Sequence, residues 1–156
     1  MLEAGQKAPD FKLRTDGGGE ISLAKLKGKI AIIYFYPKDD TPGCTTEAID
    51  FSRLQPDFEK AGATILGVSK DSVERHDKFK LKHDLTIRLA SDDSGKMLAD
   101  YGVWVKKKNY GREYMGIERS TFLIDSKGVI RNIWRKVKVK GHAENVLEAV
   151  HTLQAI

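Results

Sequence analysis

Cysteine is nearly absent: Cys44 is the only one in 156 residues. A single thiol cannot close an intramolecular disulfide or build a zinc site of the several-cysteine kind. Long apolar runs are missing too. The longest, Ile30 to Tyr36, has seven residues, against about 20 for a membrane-spanning helix. The opening stretch MLEAGQKAPDF has no basic segment followed by an apolar one, so no signal peptide is expected and a cytoplasmic location is. There is no internal repeat, linker or low-complexity tract.

The composition, 40% apolar and 31% charged, suits a chain that buries a core. The length predicts one domain spanning residues 1–156. Net charge is +5, with the surplus in Lys106–Lys108 and in Arg135, Lys136, Lys138 and Lys140. No motif that reads nucleic acid accompanies it, so solvated surface is expected rather than a nucleic-acid partner.

Element signals follow along the chain. Asp16–Gly19 reads as the tip of an N-terminal hairpin between strands Phe11–Arg14 and Glu20–Ser22. Lys29–Tyr36, apolar on both faces, reads as a central covered strand ended by Pro37. A polar turn, residues 38–43, leads into a helix reaching about Ala61, which Pro56 is expected to kink or break. Ala63–Val68 is a second buried strand. Ser72–Asp84 reads as an exposed helix, Arg88–Ala90 as a short strand, and Ser94–Tyr101 as a short helix. Residues 106–116 read as a basic loop. Ser120–Asp125 and Val129–Val137 are predicted strands joined by the turn Asp125–Gly128. From His142 runs an amphipathic closing helix. Alternating β and α units imply an α/β fold. The βαβ half followed by a ββα half is the thioredoxin-like arrangement: a central mixed sheet flanked by helices, with the N-terminal hairpin attached.

The punctuation around Cys44 carries chemistry. Thr41 suits an N-cap and Pro42 the first helical position, which puts Cys44 at the third. Free backbone N–H groups and the positive end of the helix dipole then face the sulfur and favour thiolate over thiol. A small inert buried thiol would fit the same position. Thr41 could simply cap the helix through its hydroxyl, and Pro37 could simply end a strand. Glu47, three residues on, complements the dipole but opposes ionisation of Cys44 unless a cation neutralises it. Arg119 reads by itself as a surface arginine at a strand start.

Pro37-Lys38-Asp39-Asp40-Thr41-Pro42-Gly43-Cys44 fits the pattern Pro, three residues, Thr, two residues, Cys. This resembles the peroxiredoxin active site, and the string FYPKDDTPGCTTEA resembles the bacterioferritin comigratory (Q-type) subgroup. Gly5–Phe11, Gly67–Ser72 and Gly116–Asp125 are similar to further family segments. The resemblance implies that Cys44 attacks a peroxide as thiolate and becomes a sulfenic acid. Arg119 would lie beside the sulfur and stabilise both the thiolate and the leaving oxygen. Thr41 would orient the peroxide, Pro37 would shield the site from water, and Glu47 would help hold an arginine. Cys44, Thr41 and Arg119 would contact the substrate, hydrogen peroxide or an organic hydroperoxide. No metal or organic cofactor is implied. His76 and His83, seven apart on the helix read as exposed, lack a ligand set around them.

The chain departs from the subgroup where a second cysteine is common. Ile49 stands five residues after Cys44, and Phe79-Lys80-Leu81 in the next helix holds none. An external thiol (thioredoxin, glutaredoxin or glutathione) is therefore expected to resolve the sulfenic acid of a monomeric enzyme. Two other readings compete. A thioredoxin-like thiol transferase would want Cys-X-X-Cys, but Thr41 occupies the first cysteine position. A basic, non-catalytic binding module would show an ordinary thiol.

Overall fold

The computed structural model describes residues 1–155. In chain order the elements are β1 (Lys12–Thr15), β2 (Glu20–Ser22), α1 (Leu23–Leu26), β3 (Ile30–Phe35), α2 (Pro42–Lys60), β4 (Ala63–Ser69) and α3 (Val73–His83). Then come β5 (Arg88–Ser91), α4 (Lys96–Asp100), β6 (Trp104–Asn109), β7 (Arg112–Ile117), β8 (Ser120–Ile124), β9 (Ile130–Trp134) and α5 (His142–Gln154).

Seven strands form one mixed sheet in the order β2-β1-β5-β4-β3-β8-β9. β3, β4 and β5 run parallel, and β8 pairs antiparallel with β3. β1 joins the sheet by antiparallel pairing with β5, which attaches the N-terminal hairpin. This is the mixed, helix-flanked sheet of the thioredoxin-like expectation. β3 explains its own position. Ile33 and Phe35 point into the core on one face, and Ile32 and Tyr34 into the core on the other. Side chains alternate along a strand, so a strand apolar at every position must be covered on both sides. The second core holds Cys44 and is closed by α2 and α5 through Phe51, Phe58, Val146 and Val150. Each such side chain contributes roughly 1.5–3 kcal/mol on burial.

Four expectations are corrected. α2 runs from Pro42 to Lys60 with Pro56 inside it. The ring forfeits one backbone bond, but buried Phe51, Leu54 and Phe58 on either side keep the helix against the sheet. α3 is not exposed all round, since Val73, His76 and Phe79 are buried. The basic loop is a hairpin: β6 and β7 pair in register from Trp104↔Ile117 to Asn109↔Arg112. β9 stops at Trp134, short of Val137. Lys136 takes φ 47°, which a strand cannot continue through. The chain turns there, and the Val137 N–H donates to the carbonyl of Arg119 at 3.0 Å.

Candidate active site

The Tyr36 N–H donates to the Val68 carbonyl at 3.1 Å. Pro37 then turns the chain away, exposed to solvent. Asp40 takes φ 62°, and Thr41 is extended, with Pro42 opening α2. Thr41 departs from the expected cap. Its hydroxyl accepts no bond from the helix and instead donates to the Lys38 carbonyl at 2.8 Å. The first helical bond is the Thr45 N–H to the Thr41 carbonyl, 2.8 Å. Cys44 stands in the first turn, 1% exposed, among Tyr34, Tyr36, Ala48 and Phe51.

Arg119 arrives from the junction of β7 and β8. Its Nη1 donates to Glu47 Oε1 at 2.7 Å and its Nη2 to Cys44 Sγ at 3.4 Å. Cys44 and Glu47 are three residues apart and so share a helix face; one planar fork spans both. Glu47 is buried, and its Oε2 has no partner among the described residues. Burial pushes its carboxyl up to about 7, against the opposing charge and hydrogen bond of Arg119. Gly43 makes room for this arrangement. A Cβ there would lie 3.1 Å from Arg119 Nη2, tight against a group already tied at both ends.

Three further side chains surround the cluster. Tyr34, whose ring stacks on Phe51 at 4.6 Å, is held neutral: burial first, then the charges of Glu47 and Cys44, raise its hydroxyl well above the ordinary value. Gly67 admits that ring, since a Cβ there would lie 2.8 Å from it. His142, at the start of α5, lies 2.8 Å from Thr121 Oγ1 through its Nε2. Burial, helped by the charge of Arg119, pushes it down to about 4. Lys107 of β6 is depressed by burial and by Arg119, while Cys44 and Glu118 pull it back.

The turn before α2 is anchored from beneath. Asp39 is buried, with Oδ1 accepting from the Tyr36 hydroxyl at 2.5 Å and Oδ2 lying 2.6 Å from His76 Nδ1. The Asp39 N–H donates to Asp71 Oδ2 at 2.8 Å. Asp40 contacts Lys82 Nζ at 2.7 Å and His83 Nε2 at 2.8 Å.

Of the residues singled out in the sequence, Cys44, Glu47 and Arg119 meet directly. Thr41 lies at the entrance to the helix, and Pro37 at the exposed end of the strand. Sequence reasoning missed Gly43, Tyr34, Asp39, His76, Lys107 and His142. The one available signal was His76 at helical spacing from Val73 and Phe79, on an apolar face.

The chain is similar to known proteins in sequence and in fold. Residues 4–133 match the model of the AhpC/TSA family. Peroxiredoxin Bcp of Bacillus subtilis is 54% identical over 98% of this chain and 96% of its own length. A putative peroxiredoxin bcp of Coxiella burnetii is 53% identical over 94% of this chain and 97% of its own. Among solved structures, the Xanthomonas campestris bacterioferritin comigratory protein superposes with TM-score 0.90 at 45% identity, covering 96% of this chain and 98% of that one. That structure was described for its alkyl peroxide reduction activity. A cysteine-to-serine mutant of Xylella fastidiosa PrxQ gives TM-score 0.94 at 39% identity, covering 99% and 98% of the two chains.

Proposed function

The chain belongs to the AhpC/TSA family, as a peroxiredoxin of the Bcp type, and on that premise we propose that Cys44 is its attacking sulfur. The enzyme is a thiol-dependent peroxidase: it takes a peroxide as substrate and a thiol as reductant. The observation that carries the assignment of residues is the Arg119 fork, with Nη2 at 3.4 Å from Cys44 Sγ and Nη1 on Glu47.

The Cys44 thiolate attacks one peroxide oxygen and the O–O bond breaks. The other oxygen departs as hydroxide or alkoxide and takes up a proton, leaving Cys44 as sulfenic acid. Arg119 stabilises the thiolate first and the departing oxygen afterwards, with its donors already in place. Thr41 has committed its own proton to Lys38, so its lone pairs are left to accept the O–H of the incoming peroxide. Pro37 shields the entrance from water. Glu47 holds the fork in register.

One cysteine sets the second half of the cycle. An external thiol condenses with the sulfenic acid and releases water, and a second thiol attacks the mixed disulfide and returns Cys44. Neither place where relatives of the subgroup carry a partner holds a thiol: Ile49, 42% exposed, stands on α2, and Phe79-Lys80-Leu81 on α3 contains no cysteine. Hydrogen peroxide and organic hydroperoxides are the substrates of this reading; thioredoxin, glutaredoxin or glutathione is the reductant. The working unit is a monomer of one domain, in the cytoplasm. No described helix is long and apolar enough to cross a membrane.

Mass spectrometry tests it. After one equivalent of peroxide followed by glutathione, Cys44 should carry one glutathione that a redoxin then removes. Accumulation of a covalent dimer that thioredoxin reduces directly would replace the external thiol by a Cys44-bridged pair.

A further inference from the structure

The β6–β7 hairpin stands outside the main sheet and pairs only with itself among the described residues. Its register divides it into two faces. Trp104, Lys106 and Lys108 share one with Ile117, Met115 and Glu113; Val105, Lys107 and Asn109 share the other with Gly116, Tyr114 and Arg112. At the base of the first face Trp104 and Ile117 belong to the core, and farther out Lys106 pairs with Glu113 at 3.3 Å.

The second face turns toward the protein body: Lys107 is half-buried between exposed Lys106 and Lys108, and β7 leads through Ile117 to Arg119, whose Nη2 lies 3.4 Å from Cys44 Sγ. Lys107 lies across Gly116, where a Cβ would stand 3.2 Å from its Cδ, and its ammonium senses the charges of Arg119 and Cys44. Beside it Tyr114 is 49% exposed and Arg112 is exposed. No carboxylate shares this face. An exposed tyrosine flanked by cations contributes nothing to the core, yet it has the composition of a protein-binding patch.

Cys44 is 1% exposed, and a mixed disulfide requires its sulfur to reach about 2.05 Å from another. The chain supplies no second thiol, so a partner must lie against the rim of Cys44. That rim is basic through Arg119, and the hairpin face that runs outward from it adds Lys107 and Arg112. A basic partner is repelled there and an acidic one is steered in.

We infer that the Arg112–Tyr114–Lys107 face of the hairpin docks the resolving thiol, and that this thiol belongs to a redox protein with an acidic rim around its own cysteine. The inference rests on Cys44 being the peroxidatic sulfur.

The test uses the full chain carrying Arg112→Glu with Tyr114→Ala, and a control carrying Lys106→Glu with Lys108→Glu on the opposite face. Three quantities are measured: stopped-flow oxidation of Cys44 by peroxide, turnover with an acidic thioredoxin and its reductase, and turnover with dithiothreitol. The first variant should raise the KM for thioredoxin by about tenfold or more. Its peroxide step and its dithiothreitol turnover should stay within about twofold of the parent, and the control should move the thioredoxin KM by less than about threefold. An unchanged thioredoxin KM beside an intact peroxide step overturns the docking surface alone. Equal losses in both variants also overturn it, because net charge rather than this face would then be responsible. So does lost binding to duplex DNA with unchanged thioredoxin kinetics, which would make the face a nucleic-acid surface. Absence of a peroxide step in the parent chain overturns the assignment of Cys44 and the docking surface with it.

Discussion

His76 Nδ1 stands 2.6 Å from Asp39 Oδ2, and both side chains are buried. The other ring nitrogen, Nε2, lies 2.9 Å from the Ala90 carbonyl. A carbonyl only accepts, so Nε2 carries a hydrogen. The Tyr36 hydroxyl, kept neutral chiefly by burial, donates to the other Asp39 oxygen. One further proton therefore lies between Nδ1 and Oδ2, whichever atom holds it. The pair ties the turn before Cys44 to α3 and β5. A buried pair of this kind fixes geometry more than it adds net stability.

Removing one partner tests that tie. His76→Leu leaves a buried carboxylate without its proton partner and should destabilise the fold by about 3–5 kcal/mol in urea unfolding. Asp39→Asn keeps the shape and offers an amide donor to Nδ1, so it should cost less. Equal stability of His76→Leu and the parent would remove the pair from any role in holding the turn.

Arg119→Lys keeps the charge and loses the fork. An ammonium cannot reach Glu47 and Cys44 together in the guanidinium's geometry. The second-order rate of Cys44 with peroxide should fall by about 10²-fold or more, the scale for losing one aligned donor. Competition with a reference peroxidase measures it. A rate within twofold of the parent would show that charge alone suffices.

Gly43→Ala is a finer probe of the same contact. The added methyl would stand 3.1 Å from Arg119 Nη2, so the guanidinium must move by a few tenths of an ångström. Alanine favours the helix by about 0.8–1 kcal/mol over glycine in a helix interior, and less near its start. Thermal stability should thus hold or rise while the peroxide rate falls, by about tenfold on the scale that a 1 Å misplacement costs 10²-fold. Parallel losses of both would point to a folding defect instead.

Glu47 and His142 impose opposite pH slopes on stability. The Glu47 carboxyl, ordinarily 4.5, is raised to about 7. Between those values the folded chain keeps a proton that the unfolded chain has lost, so stability falls as pH rises through the window. His142, ordinarily 6.5, is lowered to about 4. Between those values the unfolded chain takes a proton that the folded chain refuses, so stability rises with pH. In the parent the two largely offset each other from about pH 4.5 to 6.5. Glu47→Gln should unmask a rise between pH 4 and 6.5, and His142→Gln a fall between 4.5 and 7, in urea midpoints. The same sign of slope in both variants would contradict the assignment.

The hairpin and the helix start show why some features were legible and others were not. Pro37, Thr41-Pro42 and Cys44 act within a few residues of one another, so their order alone marks strand end, turn and helix start. The apolar run of β3 announced a covered strand because each of its residues is buried whichever face it points to. β6 and β7 lack that signal. Lys106, Lys107, Lys108 and Asn109 are all polar, so the outer half of the hairpin shows no apolar alternation to read. His76 misled for the opposite reason: α3 carries enough charge to look solvated, and the ring's partners, Asp39 and the Ala90 carbonyl, come from distant parts of the chain.

By itself the sequence determined the order of elements, the covered sheet, and a lone cysteine at the start of a helix, because local backbone preferences and periodic burial act over a few residues. The motif match extended this to Arg119. What the tertiary structure decided was which groups share the sulfur's surroundings. The Arg119 fork spans Cys44 and Glu47 only because the β7–β8 junction meets the first turn of α2, with Val137 holding the Arg119 backbone and Gly43 leaving space. The displaced acidities of Glu47 and His142 have the same origin. Desolvation and charge act through space, over distances that chain separation does not encode.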